Sequence, residues 1–120
     1  MDTVKIRQFA SEWKKRARER KALAARKEQD AWKKARTIAE HLRTRYGVSK
    51  VYLFGSLAWG GFGERSDIDI AIEGLPDPGG YYRVLDEISD LASPFSVQLV
   101  PLEDAWESLR ERVLREGLPL

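Results

Sequence analysis

All nine glycines and all five prolines of this 120-residue chain lie beyond residue 46. Residues 1–46 are instead rich in Ala, Lys, Arg and Glu, which lose little side-chain freedom in a helix. Tyr46-Gly47 supplies the stop, because glycine readily takes the left-handed conformation that ends a helix. The composition therefore predicts one helical stretch from Thr3 to Tyr46, on the order of 65 Å if unbroken. A globule of the remaining residues is only about 30 Å across. Such a helix must project, fold back at a hinge, or be covered by another chain. Ala31, Ala35, Ile38, Leu42 and Tyr46 fall at helical spacing on one face, which predicts that residues 31–46 pack on a globular body. Ile6, Phe9, Trp13 and Ala17 form a weaker stripe, which leaves residues 3–28 to project or to bind a partner. No heptad repeat is sustained, so nothing supports a coiled coil.

Charge divides the chain at the same place. Residues 1–46 hold 15 Lys/Arg against 6 Asp/Glu, a net +9, whereas residues 47–120 hold 6 against 13, a net −7. The expected organisation is a basic N-terminal helix or arm, 1–46, and an acidic globular domain, 47–120. A basic half suggests a polyanionic or acidic partner, and nucleic acid bound through residues 1–46 is one candidate. With no cysteine, disulfides and thiolate metal sites are excluded. No apolar run reaches the roughly 18 residues of a membrane span, so the expected location is cytoplasmic, with no membrane partner. Oligomeric state is left open.

The second half reads as alternating elements. Ser49–Phe54 and Ser66–Glu73 are predicted strands, and Gly74–Gly80 is a loop dense in turn residues. Tyr81–Ala92 is a predicted helix with Tyr82, Leu85, Ile88 and Leu91 inward. Phe95–Val100 is a third strand. A last helix over Leu102–Arg115 would turn Ala105, Trp106, Leu109 and Val113 inward, and the tail Gly117–Leu120 is expected to be loosely held. Helix, strand, strand, helix, strand, helix is an α+β (α/β-like) order, with a small mixed β-sheet backed by helices.

Chemistry concentrates in Val51–Ile72. An apolar run stops at Gly55-Ser56, a turn rich in glycine follows, and a second run opens with Asp67 and Asp69. Side chains alternate along a strand, so the two carboxylates share a face and lie about 7 Å apart. Aspartate opposes strand propensity, and two together call for a reason. Hard carboxylate oxygens facing a loop of backbone amides and the Ser56 hydroxyl suit a metal-bound polyphosphate. The single histidine, His41, sits among charges on the helix and reads as a packing or surface residue. Trp59 lies inside the loop and is the one tryptophan placed to meet a ligand.

Gly55-Ser56, ten residues, then Asp67-x-Asp69 resembles the signature of the polymerase-beta-like nucleotidyltransferase superfamily. The short chain and the form SDIDIAI make it similar to the minimal nucleotidyltransferases (MNT proteins), which pair with HEPN-type toxins as antitoxins. The resemblance covers residues 48–105 and implies a nucleotidyltransferase fold. It implies that Asp67 and Asp69 are catalytic metal ligands for two Mg²⁺ ions, with ATP as substrate. Gly55 and Ser56 would contact the phosphates, and Arg65 and Ser66 would border the site. A third family carboxylate is expected on the later strand, where Val97-Gln98-Leu99-Val100 places Gln98. An amide can offer a carbonyl oxygen to Mg²⁺ but brings no charge and takes no proton. The expected function is Mg²⁺-dependent transfer of AMP to a protein hydroxyl, most naturally on a HEPN toxin. The alternatives are an antitoxin weakened at Gln98 that acts by binding alone, and a nucleic-acid-binding module working through its basic helix.

Overall fold

The computed structural model describes residues 2–120. Helix α1 runs unbroken over Thr3–Tyr46, and the molecule measures 69 × 29 × 19 Å, so this one helix sets its long dimension. Its start is capped by the Asp2 side chain, which accepts from the Val4 amide at 3.2 Å. At its end Gly47, with φ +69, donates to the Arg43 carbonyl at 3.1 Å, and Val48 donates to Leu42 at 3.2 Å. That pair of bonds satisfies carbonyls the helix would otherwise leave unpaired.

The helix divides as its stripes suggest. Ala31, Ala35, Ile38, Ala39 and Leu42 are fully buried, whereas residues 2–26 are exposed apart from a half-buried Ala17. Small alanines at Ala31 and Ala35 let the helix backbone approach the body closely, and Ile38 and Leu42 fill the space beyond. A chain beginning at Glu28 keeps all five buried residues. Its thermal midpoint, followed by circular dichroism, should fall by less than about 5 °C, the equivalent of about 1 kcal/mol. Loss of cooperative unfolding would instead assign residues 2–27 to the core.

The body is a four-stranded sheet in the order β3-β2-β1-β4, built from β1 (Lys50–Phe54), β2 (Ile68–Glu73), β3 (Val97–Pro101) and β4 (Leu118–Pro119). β1 and β2 are antiparallel, with Leu53 opposite Ile70 and Phe54 opposite Asp69. β2 and β3 are parallel, with Asp69 opposite Gln98. Parallel strands need a crossover, and α3 (Tyr81–Ala92) provides it. One face of the sheet, with Leu53, Ile68, Ile70, Ile72 and Leu99, packs under α1 and α3 in the main core. Each such side chain contributes about 1.5–3 kcal/mol by leaving water. The other face, with Phe54 and Ala71, meets Leu102 and Val113 near α4 (Glu107–Glu116). Among the described residues no helix is long and apolar enough to cross a membrane.

Several expectations need correction. The tail is not loose: β4 pairs antiparallel with β1, Leu120 donates to the Val51 carbonyl at 3.0 Å, and Arg43 donates to the Leu120 carbonyl at 2.7 Å. The last helix does not begin at Leu102. A 3₁₀ turn spans Leu102–Asp104, Ala105 and Trp106 are extended, and the helix starts at Glu107. Trp106, expected inward, is therefore carried off the helical stripe and stands 84% exposed. Tyr82 in α3, also expected inward, is exposed, and Val84 takes the buried place beside Ile88.

Candidate active site

β1 delivers the chain to Gly55, whose backbone (φ +73, ψ −158) lies where side-chain-bearing residues are strained. There is a second reason for glycine here. A Cβ at Gly55 would overlap Oδ2 of Asp69 and lie 2.9 Å from its Cγ. The turn backbone and the Asp69 carboxylate therefore touch, as the sequence spacing alone could only suggest.

Ser56–Trp59 forms α2, a single helical turn that was not expected from the sequence. The Gly55 carbonyl accepts from Ala58 at 3.1 Å and Trp59 at 2.9 Å, which closes the turn. The amides of Ser56 and Leu57, being the first of the turn, have no acceptor within it. Gly63 and Ser66 then close a second turn: the Ser66 amide donates to the Gly63 carbonyl at 3.1 Å, and the Ser66 hydroxyl accepts from the Gly63 amide at 3.0 Å. Ser66 is thus occupied in shaping the loop that presents Asp67. Arg65 sits exposed in the same turn.

Asp67 precedes β2 by one residue rather than lying within it. Its position is held because Ile68 donates to the Ser96 carbonyl at 2.9 Å, locking the start of β2 to β3. By alternation Asp67, Asp69 and Gln98 all project on the α4 side of the sheet. Gln98 Nε2 donates to Asp67 Oδ2 at 3.2 Å. Burial raises the Asp69 carboxyl to about 6, and the Asp67 charge beside it pushes the same way. Among the described residues no Lys, Arg or His forms a salt bridge with either aspartate.

Two like charges in a partly desolvated place, without a protein cation, fit a divalent metal. Among the described residues no group of three or more His, Cys, Asp or Glu could hold an ion. That donor count suits Mg²⁺, which is commonly held by one or two carboxylates with phosphate oxygens and water completing its octahedron. It does not suit a closed protein cage.

Trp59 proves to be an anchor. Its Nε1 donates to the Glu116 carbonyl at 3.0 Å, and the Arg112 guanidinium lies 4.0 Å over its ring. It ties the turn to α4 and has no free face toward Arg112 for a nucleobase. Nothing in the sequence signals a contact between residues 53 positions apart. His41 lies on the other side of the sheet, 3.3 Å from Glu87, whose carboxyl is held below its usual range chiefly by the Tyr46 hydroxyl and also by His41 and Arg45.

Comparison with known proteins identifies the family and the fold. Residues 36–120 match the family model described as Polymerase beta, Nucleotidyltransferase. A candidate minimal nucleotidyltransferase superposes with a TM-score of 0.61 at 30% identity, over 72% of this chain and 88% of that one. A toxin–antitoxin pair, MntA–HpeT, in a mutant with two aspartates two positions apart changed to glutamate, gives 0.60 at 26% identity, over 71% and 70%. A toxin–antitoxin structure with AMP-PNP gives 0.58 at 26% identity, over 69% of each chain. The search of curated proteins finds no match.

Proposed function

The chain belongs to the polymerase beta nucleotidyltransferase family, and from that premise we propose that it transfers AMP from ATP to a hydroxyl of a protein partner, a HEPN-type toxin, and so acts as an antitoxin. The observation that carries this reading is the pair Asp67 and Asp69 on one side of the sheet, with Asp69 against the Gly55 turn. The relatives support it: one is a toxin–antitoxin structure with AMP-PNP, and another is altered at two aspartates with the spacing of Asp67 and Asp69.

In the proposed reaction the acceptor hydroxyl oxygen bonds to the α-phosphorus of ATP, the bond to the bridging oxygen breaks, and pyrophosphate leaves with that electron pair. Asp67 and Asp69 would hold Mg²⁺, which supplies neutralisation of the triphosphate charge. Gly55 lets the phosphates approach the backbone, and the Ser56 and Leu57 amides offer donors there. Gln98 orients the Asp67 carboxylate through its amide N–H. It has no capacity to take the proton of the acceptor hydroxyl, so that proton passes to solvent or to phosphate.

The amide at Gln98 also favours a second reading, an antitoxin that neutralises its toxin by binding with little or no turnover. Labelled ATP, Mg²⁺ and the partner protein test the first reading: label should appear on the partner, and Asp67→Asn should prevent it. Failure to bind ATP in the presence of Mg²⁺ would overturn it. Gln98→Asp separates the two readings. It should leave ATP affinity within about threefold and raise single-turnover transfer at least about tenfold, because general-base help is typically worth about 10²–10⁴-fold. A native protein as fast as Gln98→Asp would show that two aspartates suffice, and the binding-only reading would fall.

A further inference from the structure

Ile6, Phe9 and Trp13 follow one another by three and four residues, and the same steps lead on to Ala31, Ala35, Ile38 and Leu42. The arm therefore carries outward the very helix face that is buried further along. Lys27 Nζ, 3.9 Å from Glu64 Oε1, marks where the arm leaves the body. Residues 3–26 then extend roughly 36 Å beyond it. On that stretch Phe9 is 71% and Trp13 58% exposed. Beneath its base a groove of about 970 Å³ opens between α1 and the loops bearing Phe62 and Phe95. Aromatic side chains of this size gain by leaving water, so the face is built to be covered.

The same chain carries a surface that matches it. Trp106, before α4, is 84% exposed and Leu114, two turns on, is 50% exposed. The segment Glu103–Glu111 that carries Trp106 and leads to Leu114 holds four carboxylates, Glu103, Asp104, Glu107 and Glu111, against the single Arg110, a net −3. The arm, residues 2–28, has ten Lys/Arg against four Asp/Glu, a net +6, while residues 47–120 carry −7. Arm on arm would repel; arm on body attracts. We propose that the arm of one copy lies along the α4 face of a second copy, and that the two copies exchange arms about a two-fold axis. Each contact is then made twice, which is how one narrow helix reaches the roughly 1,200–2,000 Å² of a stable interface. The pairing does not depend on nucleotide or on the proposed transfer.

Sedimentation velocity of the full chain at about 10–100 µM tests the exchange. The native protein should be dimeric, and Trp13→Glu and Trp106→Glu, both at exposed positions, should each weaken the dimer at least about 100-fold while leaving the circular dichroism unchanged. Reversing charge at Arg16 and Arg20 to Glu should also dissociate it, and Glu107→Lys with Glu111→Lys in the partner copy should restore it. A native monomer at 100 µM overturns the proposal, and a monomer that binds single-stranded RNA with a steep salt dependence assigns the arm to nucleic acid instead. A dimer broken by Trp13→Glu alone means arms pair with each other, one broken by Trp106→Glu alone means bodies pair, and one broken by neither uses another surface. Each of these three results refutes the exchange.

Discussion

Asp69→Asn is expected to weaken Mg²⁺-dependent ATP binding at least about 100-fold, or about 2.7 kcal/mol, and at the same time to stabilise the metal-free protein. Both effects have one cause. Burial, and then the Asp67 charge, raise Asp69 to about 6 in the folded chain, against about 3.9 for an unfolded aspartate. The folded state therefore binds the proton more tightly, and stability falls as pH rises from about 4 to 6, then levels off. Asparagine removes that penalty. Because Asp69 is only partly buried, the gain is discounted to about 1 kcal/mol at pH 8, with none below pH 4. Urea unfolding of both proteins at pH 4 and 8, without metal, measures it. The native protein should also bind Mg²⁺ and ATP more tightly as pH rises from 5 to 7, since metal and proton compete for the same oxygens. Equal ATP binding by the native and Asn proteins would remove Asp69 from the site.

Gly55→Ala should cost about 2–4 kcal/mol of stability and abolish ATP binding. Its φ of +73 with ψ −158 is open to glycine almost alone, and the added Cβ would overlap Asp69 Oδ2. Two controls divide the cost. Gly61 also has positive φ, at +89, but a Cβ there meets nothing within 4 Å. Gly61→Ala should thus cost only the backbone share, about 1 kcal/mol, and leave ATP binding within a few-fold. Combining Gly55→Ala with Asp69→Ala should recover about 1 kcal/mol relative to additivity, the share due to the overlap. Thermal unfolding of the native protein, Gly55→Ala, Gly61→Ala, Asp69→Ala and the double variant reads all of this. If Gly55→Ala binds ATP as the native protein does, the close approach of turn and carboxylate has no role in the site.

Local signals were legible in the sequence where they were sufficient. The absence of Gly and Pro before residue 47 marked α1 to its last residue, and Tyr81–Ala92 was bounded correctly because Gly80 and Ser93-Pro94 flank a clear helical stripe. Strand β2 was expected from Ser66 and starts at Ile68, because the Gly63–Ser66 turn consumes the preceding residues. The pairing of Leu118–Leu120 was invisible, since a segment so short and containing proline becomes a strand only when β1 offers it an edge. Trp106 was misplaced because its apolar period continues through a break the backbone makes at Ala105. At the candidate site, the spacing showed which residues could meet, and the register of β2 with β3 added that Gln98 bonds Asp67.

Strand order also sets a timetable. β1 has β2 on one side and β4 on the other, yet 64 residues separate Phe54 from Leu118. At about 5–20 residues per second, synthesis of that interval takes roughly 3–13 s. Helix α1 is complete before β1 emerges and can begin to shelter its apolar face at once. The outer hydrogen-bonding edge of β1 stays bare until Leu118–Leu120 arrive, and a bare edge is a template for pairing with a neighbouring nascent chain. Slowing translation between β1 and β4 should therefore raise the aggregated fraction, whereas codons that hasten it should lower that fraction.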